Sequence, residues 1–375
     1  MGWFERMHGS KIPLARPSFT KEMEKAAVDA LWNEHFVSGE SVARFEEEFA
    51  EYCGVDCAVS TNSGTAALSI ALTALDVKNG ASVITTPASF VATANAVLHS
   101  GGTPKFVDID MQTYNIDPES VKAAVETRTR AVIPVHLFGF PADIDSIKQT
   151  GEKKGFAVVE DACQAHGAYY KGRKVGGLGD VACFSFYPSK NMTVAGDGGM
   201  LVTNDEKIAQ KAAKLRDCGR RSKYVHDVVG YTARLNTVNA AVGRVQLKYL
   251  DEWNEKRMRN AEIYNRLLSD VEGLCLPPAG DKATRPVYHL YVVRTSMRDE
   301  LEEWLQSKGI ECGVHYPLPI HLQPIYVEMF GFKDGTYPRA EELCKTCLSI
   351  PMYPDLSETE IQFVCDQIHE FFENR

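Results

Sequence analysis

Between about Cys57 and Thr203 the sequence alternates short apolar, β-prone runs with segments of helical length. A crossover between parallel strands needs roughly a dozen residues, usually a helix, so this alternation predicts an α/β fold with a mainly parallel sheet. Seven runs are predicted strands, namely Cys57–Ser60, Val83–Thr86, Lys105–Asp108, Ala131–Pro134, Ala157–Glu160, Ala182–Phe186 and Met200–Thr203. Glu119–Glu126 and Ile144–Lys154 have the length of crossover helices between them.

The last predicted strand differs from the others in how it is connected. Only Tyr187–Gly199 joins Ala182–Phe186 to Met200–Thr203, and this stretch is too short and too rich in glycine for a helical crossover. We therefore expect Met200–Thr203 to run antiparallel to its neighbours. Earlier in the chain, Thr65–Leu75 is apolar almost all round, which predicts a helix that is buried on nearly every side.

The pattern changes after about Val245, where a long, charged, amphipathic helix extends through Leu268. It is followed by one predicted strand, Tyr288–Thr295, and by helices near Glu300–Lys308, Arg339–Cys347 and Ser357–Phe372. A chain of 375 residues also exceeds what one hydrophobic core usually supports. We predict a large domain over residues 1–245, including the N-terminal segment, and a smaller C-terminal α/β domain over residues 246–375.

Composition narrows the class of protein. The net charge of -9 and the lack of a long basic run argue against nucleic-acid binding. No apolar run has membrane-spanning length, and the first residues lack the apolar core of a secretory signal, so we expect a cytoplasmic protein. The ten cysteines are scattered, and the one Cys-x-x-Cys pair, Cys344 and Cys347, has no second pair beside it, which favours free thiols and no metal site.

The turn after the first predicted strand is a candidate anion site. The residues are Thr61-Asn62-Ser63-Gly64-Thr65, and the predicted buried helix follows them. The first N–H groups of a helix have no intrahelical acceptor and lie at the positive end of its dipole, so a phosphate can bind there. Glycine and hydroxyl residues at this position also serve as ordinary helix caps, and the segment alone leaves both interpretations open.

Asp161 and Lys190 follow two other predicted strands. Asp161 should lie at the carboxyl edge of the sheet, where α/β proteins bind ligands, although a helix or turn cap is the alternative. Lys190 lies between an aromatic strand end and a glycine-rich turn, and a desolvated lysine is the residue that forms Schiff bases with carbonyl cofactors. An anion cradle, a carboxylate and such a lysine are together what pyridoxal 5'-phosphate (PLP) requires.

Three segments carry a family resemblance in this order. They are Ser63–Leu68, Glu160–Gly167 and Phe184–Gly199, the last of which contains Lys190 and ends in Gly-Asp-Gly-Gly. The sequence resembles the DegT-type nucleotide-sugar aminotransferases, which are fold-type I PLP enzymes. The likeness runs from Ile12–Pro17 to His315–Gln323, nearly end to end. It implies an α/β large domain of fold type I with PLP as cofactor.

The resemblance also implies roles for individual residues. Lys190 would hold PLP through a Schiff base and, once released, would move a proton as a free amine. Asp161 would pair with the pyridine nitrogen, and Gln164 would lie near the ring's 3-hydroxyl. Phe90 would stack on the ring, with a core aromatic as the alternative. The phosphate would be bound by Gly64, Thr65 and Ser185.

The reaction implied is the transfer of an amino group from glutamate to a keto group, at C3 or C4, of a nucleotide-linked sugar through pyridoxamine phosphate. A related subgroup has histidine in place of the lysine and dehydrates the sugar, so Lys190 favours amino transfer. A PLP-dependent dehydratase or lyase and a non-catalytic regulatory protein that retains PLP remain alternatives. An amino-acid aminotransferase is less favoured, because no clear pair of arginines is present to clamp two carboxylates.

Substrate residues are indicated only by one segment of the resemblance, His315–Gln323. It places Tyr316 and His321 near the sugar, and its form leans toward enzymes that act at C3. For His289 and His315, a core or interface role is an equal alternative.

The resemblance further implies a homodimer with two shared active sites. Where relatives have an asparagine that reaches the partner subunit's cofactor phosphate, this chain has Thr232. The pattern therefore leaves open whether position 232 contacts that phosphate.

Overall fold

The computed structural model describes residues 11–374, and the N-terminal residues on which the expectation of no secretory signal rests lie outside them. The seven predicted strands form one sheet, as the sequence predicts. Their bounds are β1 Cys57–Thr61, β2 Ser82–Thr85, β3 Thr103–Phe106, β4 Thr129–Ile133, β5 Ala157–Asp161, β6 Val181–Ser185 and β7 Gly199–Thr203. The predicted α/β fold is confirmed.

The sheet has the order β1-β7-β6-β5-β4-β2-β3 and is parallel except for β7. Strand β7 runs antiparallel to both β1 and β6, which confirms the prediction from the short connection. In this register Gly199 pairs with Thr61 on one side and Ser185 on the other. The carboxyl ends of β1 and β6 therefore meet the start of β7 at one edge of the sheet, the edge where α/β proteins bind ligands.

Seven α-helices accompany this sheet in the described residues: α1 and α2 precede β1, α7 follows β7, and the others lie between strands. Their bounds are α1 Lys21–Asn33, α2 Glu40–Cys53, α3 Gly64–Ala74, α4 Ala92–His99, α5 Pro118–Ala124, α6 Ile144–Lys154 and α7 Glu206–Arg216. Helices α4, α5 and α6 join successive parallel strands. Strands β5 and β6 are joined without a helix, by residues 162–180 and a short hairpin of Tyr169–Tyr170 with Arg173–Lys174. This connection leaves the residues after β5 free to line a site.

Helix α3 is the buried helix that the sequence predicts. Eight of its eleven residues are buried, and Leu68, Ile70 and Leu72 belong to the core on one face of the sheet. Ser63 caps its first turn by accepting a hydrogen bond from Ala66 N at 3.1 Å. The N-terminus of α3 consequently points to the edge of the sheet at which β1 ends.

The C-terminal part of the chain begins with α8 Thr237–Leu267, which is followed by two strands, β8 Tyr291–Arg294 and β9 Cys347–Ile350, in an antiparallel pair. Its other helices are α9 Arg298–Ser307, α10 Pro324–Phe330, α11 Pro338–Thr346 and α12 Glu358–Glu373. Strand β9 was not predicted from the sequence. Because α11 ends at Thr346, Cys347 belongs to the strand, so Cys344 and Cys347 do not share a helix.

Two features link the predicted domains. Helix α8 runs through the predicted boundary: Val245 packs with Met23 of α1, whereas Tyr264 belongs to the core of the C-terminal part. At the start of the described chain, Ile12 pairs with Ile310, so the N-terminal segment crosses to the C-terminal part. The division at residues 245 and 246 stays a prediction.

Three further observations concern the described residues. All ten cysteines are free thiols. In residues 11–374 no cluster of three or more His, Cys, Asp or Glu side chains could hold a metal ion. None of the helices in that range is both long enough and apolar enough to span a membrane.

Gly199 lies where β7 meets the turn into α3. A Cβ atom at this position would be 2.7 Å from Gly64 N and still closer to the carbonyl group of Ser63. Since these are backbone atoms, they cannot move aside unless the whole turn shifts. The absence of a side chain at Gly199 therefore allows β1, β7 and α3 to meet.

We expect Gly199→Ala to lower the thermal unfolding midpoint, because such overpacking costs about 1–3 kcal/mol or more. Gly196→Ala is the matched control from the same loop, since its added Cβ would approach only the side-chain amide of Asn239, at 3.0 Å. The control should be unchanged or slightly more stable, by up to about 1 kcal/mol. Equal midpoints for the two variants in differential scanning calorimetry would contradict the packing argument.

Candidate active site

A pocket of about 470 Å³ lies at the carboxyl edge of the sheet and extends to the segment before α10. This volume is within the range of small-molecule sites. Every site residue predicted from the sequence except His321 lines it, namely Gly64, Thr65, Phe90, Asp161, Gln164, Ser185, Lys190 and Tyr316. Leu14 and Ala15, which sequence reasoning did not assign to the site, also line it.

The anion cradle is formed by the N-terminus of α3 and the end of β6. The N–H groups of Gly64 and Thr65 are at the first helical positions, where no intrahelical acceptor exists. A Cβ on Gly64 would lie 2.7 Å from Cβ of Ser185 and 2.9 Å from Sγ of Cys163. Glycine therefore allows the cradle to close against Ser185. The turn thus combines the two alternatives: Ser63 caps the helix, and the N–H groups of Gly64 and Thr65 remain available for an anion.

Asp161 ends β5 and is buried, with 4% of the residue exposed. Its Oδ1 accepts a hydrogen bond from Cys163 N at 3.3 Å, which is the turn cap considered as the alternative. Its Oδ2 accepts from the hydroxyl of Thr93 at 2.7 Å, and Thr93 is itself 2.9 Å from the hydroxyl of Ser89. The carboxylate is held from two sides and still lines the pocket, so the cap and a ligand-binding role are compatible.

Thr93 was not assigned to the site from the sequence. Its one local signal is a second hydroxyl residue four positions earlier, Ser89, which lies just before α4 begins. The bond to Asp161 joins residues 68 positions apart, so no local pattern indicates it.

Lys190 lies in the loop between β6 and β7, and its Nζ is 3.5 Å from Nε2 of His289. Burial lowers the pKa of Lys190 below its ordinary value, while nearby Cys163 and Asp161 oppose this shift. A lowered pKa increases the fraction of neutral amine, which is the form that attacks a carbonyl carbon.

The aromatic side chains of the pocket face each other. Phe90 is 54% exposed and its ring centroid is 5.8 Å from that of Tyr316, so Phe90 is not a core aromatic. Gln164 Nε2 donates to the Tyr316 hydroxyl at 3.4 Å, and Gln164 Oε1 accepts from Phe138 N at 2.8 Å. Burial raises the pKa of Tyr316, which keeps its hydroxyl protonated.

The histidines divide into two groups. His289 and His315 line the pocket, and burial lowers the pKa of both, so both rings are neutral near pH 7. His321 is fully buried elsewhere: its Nε2 is 3.0 Å from Oε1 of Glu341, and its ring packs edge-on against Tyr337. The structure thus does not bring His321 to the pocket, because pairing with Glu341 holds the ring in the C-terminal part, and we withdraw its predicted substrate role.

Thr232 does not line the pocket of its own chain. It is exposed, and its hydroxyl is 3.3 Å from Sγ of Cys218. Any contact of this residue with a cofactor would therefore be made in a partner subunit.

The lining residues fit PLP. The cradle of Gly64, Thr65 and Ser185 suits its phosphate, the Asp161 carboxylate suits a protonated pyridine nitrogen, and the Lys190 amine suits its aldehyde. The exposed ring of Phe90 provides an aromatic face beside them.

The chain is similar to known proteins over most of its length. The model of the DegT/DnrJ/EryC1/StrS aminotransferase family matches residues 17–369. A Geobacillus stearothermophilus "pleiotropic regulatory protein" is 42% identical over 94% of each chain. A Streptomyces venezuelae dTDP-3-amino-3,4,6-trideoxy-alpha-D-glucose transaminase is 41% identical over 94% of this chain and 92% of its own.

Solved structures show the same likeness. The crystal structure of S. venezuelae DesV in complex with a ketimine intermediate superposes with a TM-score of 0.91, at 41% identity over 94% of each chain. The resemblance seen in the sequence is therefore confirmed: the chain belongs to the DegT/DnrJ/EryC1/StrS aminotransferase family.

Proposed function

We propose that this protein is a PLP-dependent aminotransferase that moves an amino group from glutamate to a keto group of a nucleotide-linked sugar. The observation that carries the proposal is the convergence of Lys190, Asp161 and the N-terminus of α3 in one pocket. These three groups match the aldehyde, the ring nitrogen and the phosphate of one cofactor. Family membership supports the same cofactor and reaction class.

Bound PLP supplies an electron-withdrawing ring that makes the α-hydrogen of an attached amino acid acidic. Residues of this chain increase that acidity and transfer the proton. Asp161 favours a protonated ring nitrogen, and its bond from Thr93 holds the carboxylate in place. Lys190, once its amine is free, takes the proton from the substrate carbon and returns it to the cofactor carbon. Phe90 and Tyr316, whose ring centroids are 5.8 Å apart, would lie beside the cofactor ring and exclude water from it.

The composition of the pocket favours a sugar over a second amino acid. No arginine is among its lining residues within the described part of the chain. Tyr316 and Gln164 instead offer hydroxyl and amide groups, which suit the hydroxyls of a sugar. The S. venezuelae transaminase is named for a 3-amino sugar, which supports amination at C3 rather than C4.

Single turnover with glutamate tests this function. The PLP-loaded protein should release one equivalent of 2-oxoglutarate per active site and keep the amino group, because a transaminase must deposit it before a sugar binds. Subsequent addition of keto sugars linked to a nucleotide should return the PLP spectrum and yield an amino sugar.

Two outcomes would contradict the proposal. A dehydratase or lyase would change the sugar without stoichiometric 2-oxoglutarate. A regulatory protein, the role that the name of the Geobacillus relative suggests, would bind PLP yet show no half-reaction with glutamate or other amino donors. Mass spectrometry of the released acid identifies the transaminase, and mass spectrometry of the sugar separates the other two cases.

We further propose a cytoplasmic homodimer with shared active sites. Large apolar side chains are exposed on two segments, which are α1 with its following turn and residues 224–229; the most exposed are Trp32, Phe36, Tyr224 and Val229. The turn after α1 is bonded to the start of α8, since Thr237 N donates to Phe36 O at 3.0 Å. Exposed apolar surface of this kind is typical of subunit interfaces.

Thr232→Asn should slow PLP dissociation in such a dimer, because it adds a hydrogen bond to a charged phosphate worth about 1–3 kcal/mol. Thr232→Val is the matched control and should change PLP retention little, since the native hydroxyl lies against Cys218. Dissociation is followed by absorbance, with dimerisation checked by sedimentation. No effect of Thr232→Asn, or a large PLP loss in Thr232→Val with the dimer intact, would contradict this placement.

A further inference from the structure

His289 is a buried histidine of the pocket to which the proposed chemistry assigns no role. Its ring lies between two consecutive residues of the β6–β7 loop. Nε2 is 3.5 Å from Nζ of Lys190, and Nδ1 is 3.2 Å from Oδ1 of Asn191. Only 5% of His289 is exposed. The function of this contact depends on which ring nitrogen carries the hydrogen.

Two backbone carbonyl groups determine which ring nitrogen of His289 carries the hydrogen. Asn254 Nδ2 donates to the carbonyl oxygen of His166 at 2.8 Å, so the other side-chain atom of Asn254, Oδ1, faces Asn191. Asn191 Nδ2 donates to that Oδ1 at 2.9 Å and to the carbonyl oxygen of Val287 at 3.0 Å. Because a carbonyl oxygen can only accept, both hydrogens of the Asn191 amide are used, and its own oxygen must face His289.

The tautomer of His289 follows from this chain of bonds. The Asn191 oxygen accepts only, so Nδ1 of His289 carries the hydrogen. A neutral imidazole carries a hydrogen on only one of its two nitrogens. Nε2, which faces Lys190, is therefore unprotonated and can accept a hydrogen bond.

The surroundings of His289 keep the ring neutral. Burial is the largest influence and lowers its pKa well below the ordinary value. The titratable side chains that act on it most strongly come from four different elements, and all of them lower the pKa further: Lys190, Arg257, His315 and His166. No carboxylate is among these groups, so nothing there favours a second hydrogen on the ring.

We propose that His289 is a positioning residue whose bare Nε2 accepts a hydrogen bond from the Lys190 amine when that amine is free. The inference rests on the proposed aminotransferase function, in which the free amine takes one proton and returns it. Holding one N–H limits rotation of the amine, and an acceptor beside it also favours the protonated form. His289 itself neither gains nor loses a proton.

Two variants test this role because their side chains differ in length. His289→Asn keeps a donor near Asn191 but places no acceptor at the Nε2 position, whereas the longer amide of His289→Gln can place its oxygen there. In the glutamate half-reaction, His289→Asn should lower the maximal rate by about tenfold or more with little change in the apparent affinity for glutamate. His289→Gln should recover most of the rate. His166→Phe is the control, because the buried ring of His166 packs against Phe184 and Phe186, and it should stay within about twofold of wild type.

A second readout needs neither cofactor nor substrate. In the PLP-free protein, competitive acetylation of Lys190 across pH, quantified by mass spectrometry, reports the pKa of its amine. The pKa should fall further in His289→Asn, since the acceptor that stabilises the ammonium is gone, and should return toward the wild-type value in His289→Gln. A purely structural role for His289 would not give this pattern.

The wild-type protein provides a direct measurement of the tautomer of His289. ¹⁵N NMR with labelled histidine should show His289 hydrogenated on Nδ1 and bare on Nε2, with the signal identified by its loss in His289→Gln. Hydrogen on Nε2, equal Lys190 acetylation curves in all three proteins, or no recovery in His289→Gln would each overturn the proposal. If the NMR and acetylation results are as expected but glutamate yields no 2-oxoglutarate, the error lies in the proposed function instead.

Discussion

The close contact between β7 and the turn into α3 is the constraint on which the pocket depends. Strand β7 is the one antiparallel strand of the sheet, so its first residue, Gly199, lies beside the last residues of β1 and β6. Both neighbours then continue into the site: β1 leads to the anion cradle, and β6 leads to Ser185 and Lys190. A side chain at Gly199 would push the turn away and separate the phosphate site from the lysine.

Burial is the main influence on the electrostatics of the pocket. It lowers the pKa values of Lys190, His289 and His315, while Cys163 and Asp161 oppose the shift of Lys190. The Asp161 carboxylate is held in place by the bond from Thr93. A lysine with a lowered pKa suits a reaction that moves one proton between two carbon atoms, because its amine can both take up and release a proton.

The sequence predicts most of the sheet, because the strands are short apolar or β-prone runs, and the length of one loop predicts the direction of β7. Strand β9 escapes prediction because it follows α11 with no turn residue between them. In the site, Asp161 and Lys190 are predictable from strand ends and from family resemblance. The bonds from Thr93 to Asp161 and from His289 to Asn191 are not, since they join residues far apart in sequence. His321 shows the opposite error: its segment resembles the family, but its side chain pairs with Glu341.

The central claim is that Lys190 is the residue to which the cofactor attaches. Reduction of the PLP-loaded protein with borohydride makes a Schiff base irreversible, and peptide mass spectrometry then locates the modified residue. We predict one phosphopyridoxyl group per chain, on Lys190, with loss of the visible absorbance band. A modification on another lysine, or none at all in protein that has been shown to contain PLP, would contradict the account.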